Sequence, residues 1–147
     1  MRYAQPQPYE ELSHTADAGL AARGATAEEA LARLVLGLGA MLSGGAASTP
    51  PPAGPPVRIE GAGGADLAQA AVGLLRELLF RFATRREVPV EVEVVALAPG
   101  GAAADVAFGR WDPERNADGA DVKAVTYHRA RLAPEGGGWR AEVLLDV

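Results

Sequence analysis

The sequence predicts an α+β fold: a single domain over residues 1–147, in which two amphipathic α-helices cover a mixed β-sheet. Two segments show apolar residues at helical spacing behind clear start signals, and four strand-like segments follow the second of them with no helix between. The predicted order of elements is therefore ββαβαββββ. Because a doubly wound parallel sheet needs a helix between successive strands, that architecture is excluded. A length of 147 residues suits one domain, since chains divide only beyond about 250–300 residues.

The first helix has a well-defined beginning and end. Thr26 and Glu29 form a capping box, in which two side chains satisfy two otherwise free backbone amides. Gly37 and Gly39 weaken the helix by about 1 kcal/mol each relative to alanine, so packing must compensate. The pair Gly44 and Gly45 ends it. The apolar stripe that should face a sheet is Leu31, Leu34, Val35, Leu38 and Leu42.

The second helix begins at Asp66, with Gln69 completing a similar start. Its stripe consists of Leu67, Ala71, Leu74, Leu75, Leu78, Leu79 and Phe82. Alternation of apolar and polar residues predicts the strands. These strands are 9–12, 19–23, 57–60, 90–94, 102–111, 122–132 and 139–147, and 134–138 is a hairpin-like connection between the last two.

Two segments are predicted to be irregular. Residues 48–56 contain five prolines and form a semi-rigid surface connection, because proline disfavours helix and sheet interiors. The glycine-rich stretch 61–64 precedes a helix, as phosphate-binding loops do. It lacks the Lys–Ser/Thr pair of such loops, so we interpret it as a flexible turn.

Composition excludes several classes of function. There are no cysteines, so disulfides, thiolate zinc sites and cysteine nucleophiles are excluded. The net charge is −5, and residues 1–75 and 76–147 are both acidic, which disfavours direct nucleic-acid binding. The arginines near the end of the second helix are explained by its dipole. No run of eighteen apolar residues and no N-terminal signal pattern occur, so we expect a cytoplasmic protein without membrane contact.

The candidate functional residues cluster in three short motifs. His14, Thr15 and Asp17 lie in the polar segment Ser-His-Thr-Ala-Asp, although such a segment is equally typical of a turn that satisfies its own backbone amides. Asp146 is followed by Val147, whose terminal carboxylate must lie nearby, and two close anions favour a cation between them. If Asp17 joins them, the oxygen-rich set suits calcium or magnesium. The third motif, residues 122–128, contains Lys123, Tyr127 and His128.

In combination these motifs make the chain resemble the archease family. His-Thr-Ala-Asp near the start, Lys-Ala-Val-Thr-Tyr-His near the end and a terminal Asp–aliphatic pair are specific together. The matching segments run in order along almost the whole chain: 9–10, 14–17, Gly19, 26–30, 78–80, 112–115, 122–128 and 145–147.

The resemblance implies a function that composition does not show. Archeases are accessory proteins of the RtcB-type RNA ligase in tRNA splicing and RNA repair, and they promote its guanylylation and multiple turnover. By this resemblance, Asp17, Asp146 and Val147 hold a divalent metal ion, calcium first and magnesium or manganese otherwise. Lys123 is implied as a partner contact, and His14, Thr15, Tyr127 and His128 as supporting residues. The protein would then not be an enzyme. It would contact tRNA or broken RNA only through the ligase, and it would not bind DNA.

Three positions depart from the family pattern. Ser13 replaces a common acidic residue, Ala18 a larger aliphatic one, and Asn116 a frequent histidine. Loss of the acid at Ser13 would weaken a metal site. Two other functions stay open: a metal-dependent phosphoester hydrolase using Asp17, Asp146 and His14, and a chaperone-like or RNA-binding module. A basic face with exposed aromatic side chains would favour the last.

Overall fold

The structure, a computed structural model, describes residues 1–13 and 17–147 and confirms the α+β class. Both predicted helices are present, and every predicted strand has a counterpart. The predicted turn at His14 and Thr15 lies outside the described residues. In chain order the elements are β1 (Arg2–Ala4), β2 (Glu10–Ser13), β3 (Ala18–Gly24), α1 (Ala27–Ser43), β4 (Val57–Ala62), α2 (Leu67–Arg85), β5 (Glu87–Ala98), β6 (Gly101–Arg110), β7 (Ala124–Glu135) and β8 (Gly138–Asp146).

The strands form two antiparallel sheets, where the sequence predicted one mixed sheet. The first sheet has the order β1-β5-β6-β4 and the second the order β2-β3-β8-β7, and all the described pairings are antiparallel. Alternation along a strand shows which face is buried but not which distant strand it pairs with. β1 was not predicted, because three residues carry no recognisable period.

Helix α1 packs between the two sheets, against β3 of the second and β5 of the first. The predicted stripe is fully buried, and so are Ala32 and Leu36 outside it, because both sides of the helix meet a sheet. Thr26 Oγ1 accepts a hydrogen bond from Glu29 N–H, and Glu29 Oε1 accepts one from Ala25 N–H. Gly44 ends the helix in the left-handed conformation, as predicted.

Helix α2 packs against β4, β5 and β6 of the first sheet and against β7 of the second. Asp66 accepts the capping hydrogen bond from Gln69 N–H at 2.9 Å. Arg86 follows the last turn in the left-handed conformation, and its guanidinium lies over the rings of Phe82 and Trp111. Arg86 therefore packs on aromatic rings in addition to lying at the C-terminal end of the helix, where the dipole favours a cation.

The proline-rich connection is anchored to the first sheet. Ala53 N–H donates to the carbonyl of Phe108 at 2.8 Å, and Pro52 forms an isolated bridge with Gly109. Residues 51–56 are exposed, as expected of a surface connection.

Strands β7 and β8 form a long hairpin whose turn, at Gly136 and Gly137, has positive φ at both positions. This matches the turn that suits the twist of a two-residue hairpin. In the described ranges, neither helix is long and apolar enough to cross a membrane.

Candidate metal and partner-binding site

The second sheet brings Asp17 and Asp146 to the same end of two neighbouring strands. Ala18 lies opposite Leu145 in the antiparallel pairing of β3 with β8. Asp17 directly precedes Ala18, and Asp146 directly follows Leu145. Since opposite residues of such a pair lie about 4.5–5.5 Å apart, the two aspartates and Val147 share one small region.

Lys123 joins this region from the other side of β8. Its N–H donates to the carbonyl of Asp146 at 2.7 Å, just before Ala124 pairs with Asp146. Its side chain is exposed. The predicted partner-contact residue and the predicted metal ligands are thus adjacent.

Tyr127 and His128 lie farther along β7. Tyr127 follows Ala124 by three residues, which corresponds to roughly 10 Å of strand. Both side chains are exposed, and an arginine of α2 covers the tyrosine ring. They flank the carboxylates without joining them, whereas His14 and Thr15 lie outside the described residues.

An open depression of about 810 Å³ adjoins the carboxylates. Its acidic lining comes from Glu11, Asp118, Asp121 and the terminal residue Val147. The sequence did not point to the first three, because Glu11 lies far in the chain from Asp118 and Asp121, and the three match no ligand spacing. The loop 111–121 packs against the end of α1, and this brings its two aspartates to the same depression as Glu11.

That loop is held by the C-terminal carbonyls of α1, which a helix leaves without internal partners. Ala120 N–H donates to the Met41 carbonyl at 2.8 Å, and Trp111 Nε1 donates to the Leu42 carbonyl at 3.0 Å. Asn116 Nδ2 donates to the Ser43 carbonyl at 2.9 Å. Asp118 and Asp121 are therefore positioned by hydrogen bonds from their loop to the carbonyls at the helix end.

The carboxylates of the site form no ion pairs with the described residues. Among the described residues, no ion pair involves Glu11, Asp17, Asp118, Asp121 or Asp146. Burial raises the pKa of the nearby Tyr9 phenol above its usual range, and the negative charge of Glu11 raises it further. A cation is the ligand that this charge distribution favours.

The donor atoms of the site are oxygens, the type of ligand that a hard cation prefers. Carboxylate and backbone oxygens are the ligands of calcium, which takes six to eight of them, and of magnesium. Within residues 1–13 and 17–147, no three His, Asp or Glu side chains form a metal-binding group. The predicted set has two side chains and a chain terminus, so water or a partner would have to complete the coordination.

Fold and site together define a small α+β protein with an acidic end, where β3 begins and β8 ends beside Val147. A family model described as the Archease protein family (MTH1598/TM1083) matches residues 9–147. The chain belongs to the archease family, as its motifs indicated.

Individual members of the family match this chain over nearly the full length of both sequences. Protein archease of Methanopyrus kandleri is 34% identical over 143 residues, which cover 95% of this chain and 99% of the relative. Protein archease of Methanosarcina mazei is 30% identical, with 98% and 99% covered. The solution structure of protein 1598 of Methanobacterium thermoautotrophicum superposes with a TM-score of 0.72 at 27% identity and covers 95% of this chain and 98% of that one.

Proposed function

We propose that this protein activates an RtcB-type RNA ligase in tRNA splicing and RNA repair, as the archease family resemblance implies. It would act in the cytoplasm as an accessory protein without turnover of its own and would promote ligase guanylylation. The observation that carries the proposal is the convergence of Asp17, Asp146 and Lys123 at one end of the second sheet. These are the residues for which the resemblance implies metal and partner contacts.

In this proposal Asp17, Asp146 and Val147 hold a divalent cation, calcium first and magnesium or manganese otherwise. The bound ion would supply positive charge able to bind phosphate oxygens at the ligase active site. The incomplete donor set supports a shared role, since the remaining positions are left for water, nucleotide or ligase groups. Lys123 would contact the ligase or its nucleotide from the adjoining strand.

The test is guanylylation of the cognate ligase, with and without the protein, over a range of metal concentrations. We expect the unmodified protein to raise the extent and rate of guanylylation. Asp17→Asn and Asp146→Asn should remove the stimulation. Because neither carboxylate forms an ion pair with the described residues, the variants should keep the stability of the metal-free protein.

Glu60→Gln is the matched control, since Glu60 is an exposed carboxylate on β4 of the other sheet. It should stimulate the ligase fully. Full stimulation by either aspartate variant would contradict the metal assignment. Hydrolysis of a phosphoester by the isolated protein that disappears in Asp146→Asn would replace the proposal with the hydrolase alternative.

A further inference from the structure

A surface on α2 and β7, distinct from the carboxylate end, carries exposed aromatic rings beside cationic groups. Phe80 and Tyr127 have 65% and 43% of their surface exposed. Arg76 lies one helical turn before Phe80 on the same face of α2. We name this set, together with His128 and Arg129, the Tyr127 surface.

The Arg76 guanidinium is held over the Tyr127 ring. Its Cζ lies 4.3 Å from the ring centroid, and its Nε donates to the Val125 carbonyl at 2.9 Å. A guanidinium fixed at that distance over a phenol ring is a cation–π pair. The pair presents an organised cationic and aromatic group at the surface of α2 and β7.

A bulge in β7 places the next residues outward. The pairing with β8 shifts between Thr126 and Arg131, so four residues of β7 have no partner in register. Arg129 within it has φ of 57°, a left-handed conformation that is uncommon for a residue other than glycine. Tyr127, His128 and Arg129 are all exposed there. Bulges of this kind commonly redirect side chains beside functional sites.

The charge of the surface contrasts with that of the molecule. The chain carries −5 overall. Yet no described carboxylate forms an ion pair with Arg76 or Arg129. Glu77 is the acidic residue next to Arg76 in the chain, and it is exposed. Two guanidiniums without a carboxylate partner among the described residues therefore give this surface of an acidic protein a local site for an anion.

We infer that the Tyr127 surface binds a single-stranded polynucleotide through its unpaired bases and phosphates. Unpaired bases stack on aromatic rings and on guanidinium planes, and the phosphates pair with cationic groups. Arginine and aromatic residues are also enriched at protein interfaces, so a surface that serves a protein partner instead would bind neither single strand in the test below. The even distribution of acidic charge had disfavoured direct nucleic-acid binding, and the resemblance had implied contact with RNA through the ligase, so this inference goes beyond the proposed activator function.

The test is fluorescence anisotropy of the full chain with a labelled single strand of about 12 nucleotides, within the span such sites cover. Measurements use about 50 mM salt, where phosphate contacts are strong, and a chelator that removes metal from the carboxylates. Separate arms use single-stranded RNA, single-stranded DNA and duplex RNA. We expect both single strands to bind more tightly than the duplex, and any difference between RNA and DNA to identify the natural strand.

Tyr127→Ala and Phe80→Ala should each weaken single-strand binding roughly five- to a hundredfold, the equivalent of one stacked base. Arg129→Gly removes a charge at a position where glycine is conformationally favoured, so the fold is kept while binding weakens and the salt dependence decreases. Val95→Ala and Arg58→Gln are controls, an exposed apolar residue and a cation on the first sheet. Both should bind as the unmodified protein does.

Three results would overturn the inference: no binding of either single strand at low salt, equal binding of the duplex, or unchanged binding in all three surface variants. Circular dichroism confirms that each variant is folded. Since ligase guanylylation is absent from this measurement, failure here would leave the proposed activator function intact, and failure of activation would leave strand binding intact.

Discussion

Asn116 belongs to the loop that carries Asp118 and Asp121, and its side chain is fully buried at the end of α1. Its Nδ2 donates to the carbonyls of Ser43 and Ser48, and its Oδ1 accepts a hydrogen bond from Asp112 N–H. This departure from the family pattern is therefore a structural residue of the loop, since its amide bonds three separate backbone groups.

Asn116→Ala should lower the free energy of unfolding by about 1–3 kcal/mol or more, because it leaves three backbone groups without partners. Urea unfolding at neutral pH measures the loss. Arg115→Ala, at the exposed neighbouring position, should stay within about 0.5 kcal/mol of the unmodified protein. Similar stabilities for the two variants would show that the loop does not depend on this amide.

Glu29 is the residue whose titration should be visible in stability. The Tyr3 hydroxyl donates to Glu29 Oε2 at 2.7 Å, and Ala25 N–H donates to Oε1 at 2.7 Å. These bonds, that from Tyr3 first, hold the pKa of Glu29 below its usual range. A carboxyl group with a lowered pKa in the folded state stabilises the fold above its unfolded-state pKa, near 4.3. That stabilisation is lost as the pH falls through the folded-state pKa.

Tyr3→Phe should cost about 0.5–1.5 kcal/mol at pH 7, the net value of one hydrogen bond. The difference from the unmodified protein should shrink as the pH falls below the carboxyl range, because protonated Glu29 no longer gains from the charged bond. Urea unfolding across this range measures both curves. Tyr127→Phe, whose hydroxyl forms no hydrogen bond with the described residues, should leave the pH dependence unchanged. Parallel curves for Tyr3→Phe and the unmodified protein would contradict the sign.

At the scale of elements, glycine decides how closely α1 approaches β5. A Cβ added at Gly39 would overlap the Pro89 carbonyl oxygen, which is backbone and has little room to move. Glycine at position 39 lowers the stability of the helix by about 1 kcal/mol relative to alanine. In the structure, the missing Cβ of Gly39 allows the backbone of the central helix to contact the backbone of a sheet.

Gly39→Ala should therefore lower the melting temperature, although alanine favours helix. The overlap should cost about 1–3 kcal/mol, against about 1 kcal/mol gained in helix propensity. Gly54→Ala is the control, because a Cβ there meets no atom within 4 Å, and its melting temperature should be nearly unchanged. An increase in melting temperature for Gly39→Ala would mean that the helix can move away from the sheet without loss.

At the scale of the whole molecule, the two chain ends belong to different sheets. The Met1 amino group lies 3.5 Å from Glu93 on the first sheet, whereas Val147 lies at the acidic end of the second. Residues added after Val147 therefore lie beside the proposed metal site, whereas residues added before Met1 lie on the other sheet.

Residues added after Val147 should weaken calcium binding, because they convert its carboxylate into a neutral amide and anionic ligands set affinity in oxygen sites. The same residues added before Met1 should leave affinity unchanged. Calorimetric titration of calcium into the two extended forms and the unmodified chain compares them directly. Equal affinities for all three would show that Val147 is no ligand and that Asp17 and Asp146 need other donors.

The amino-acid sequence by itself determined the local elements and the family. Capping residues such as Thr26 and Asp66 act on amides three residues away, and apolar periodicity reflects one buried face, so both helices and most strands followed from nearby residues. The motifs containing Asp17, Lys123 and Asp146 likewise identified the archease family before any contact was known.

Tertiary structure decided the division into two sheets, the acidic lining and the exposed aromatic surface. Strand partners and register depend on contacts between segments far apart in the chain, which alternation does not encode. Asp118 reaches the depression because its loop binds the carbonyls of α1. Arg76 meets Tyr127 because α2 packs on a bulged strand. Each of these sites joins residues that sequence spacing leaves unrelated, and long-range packing alone brings them together.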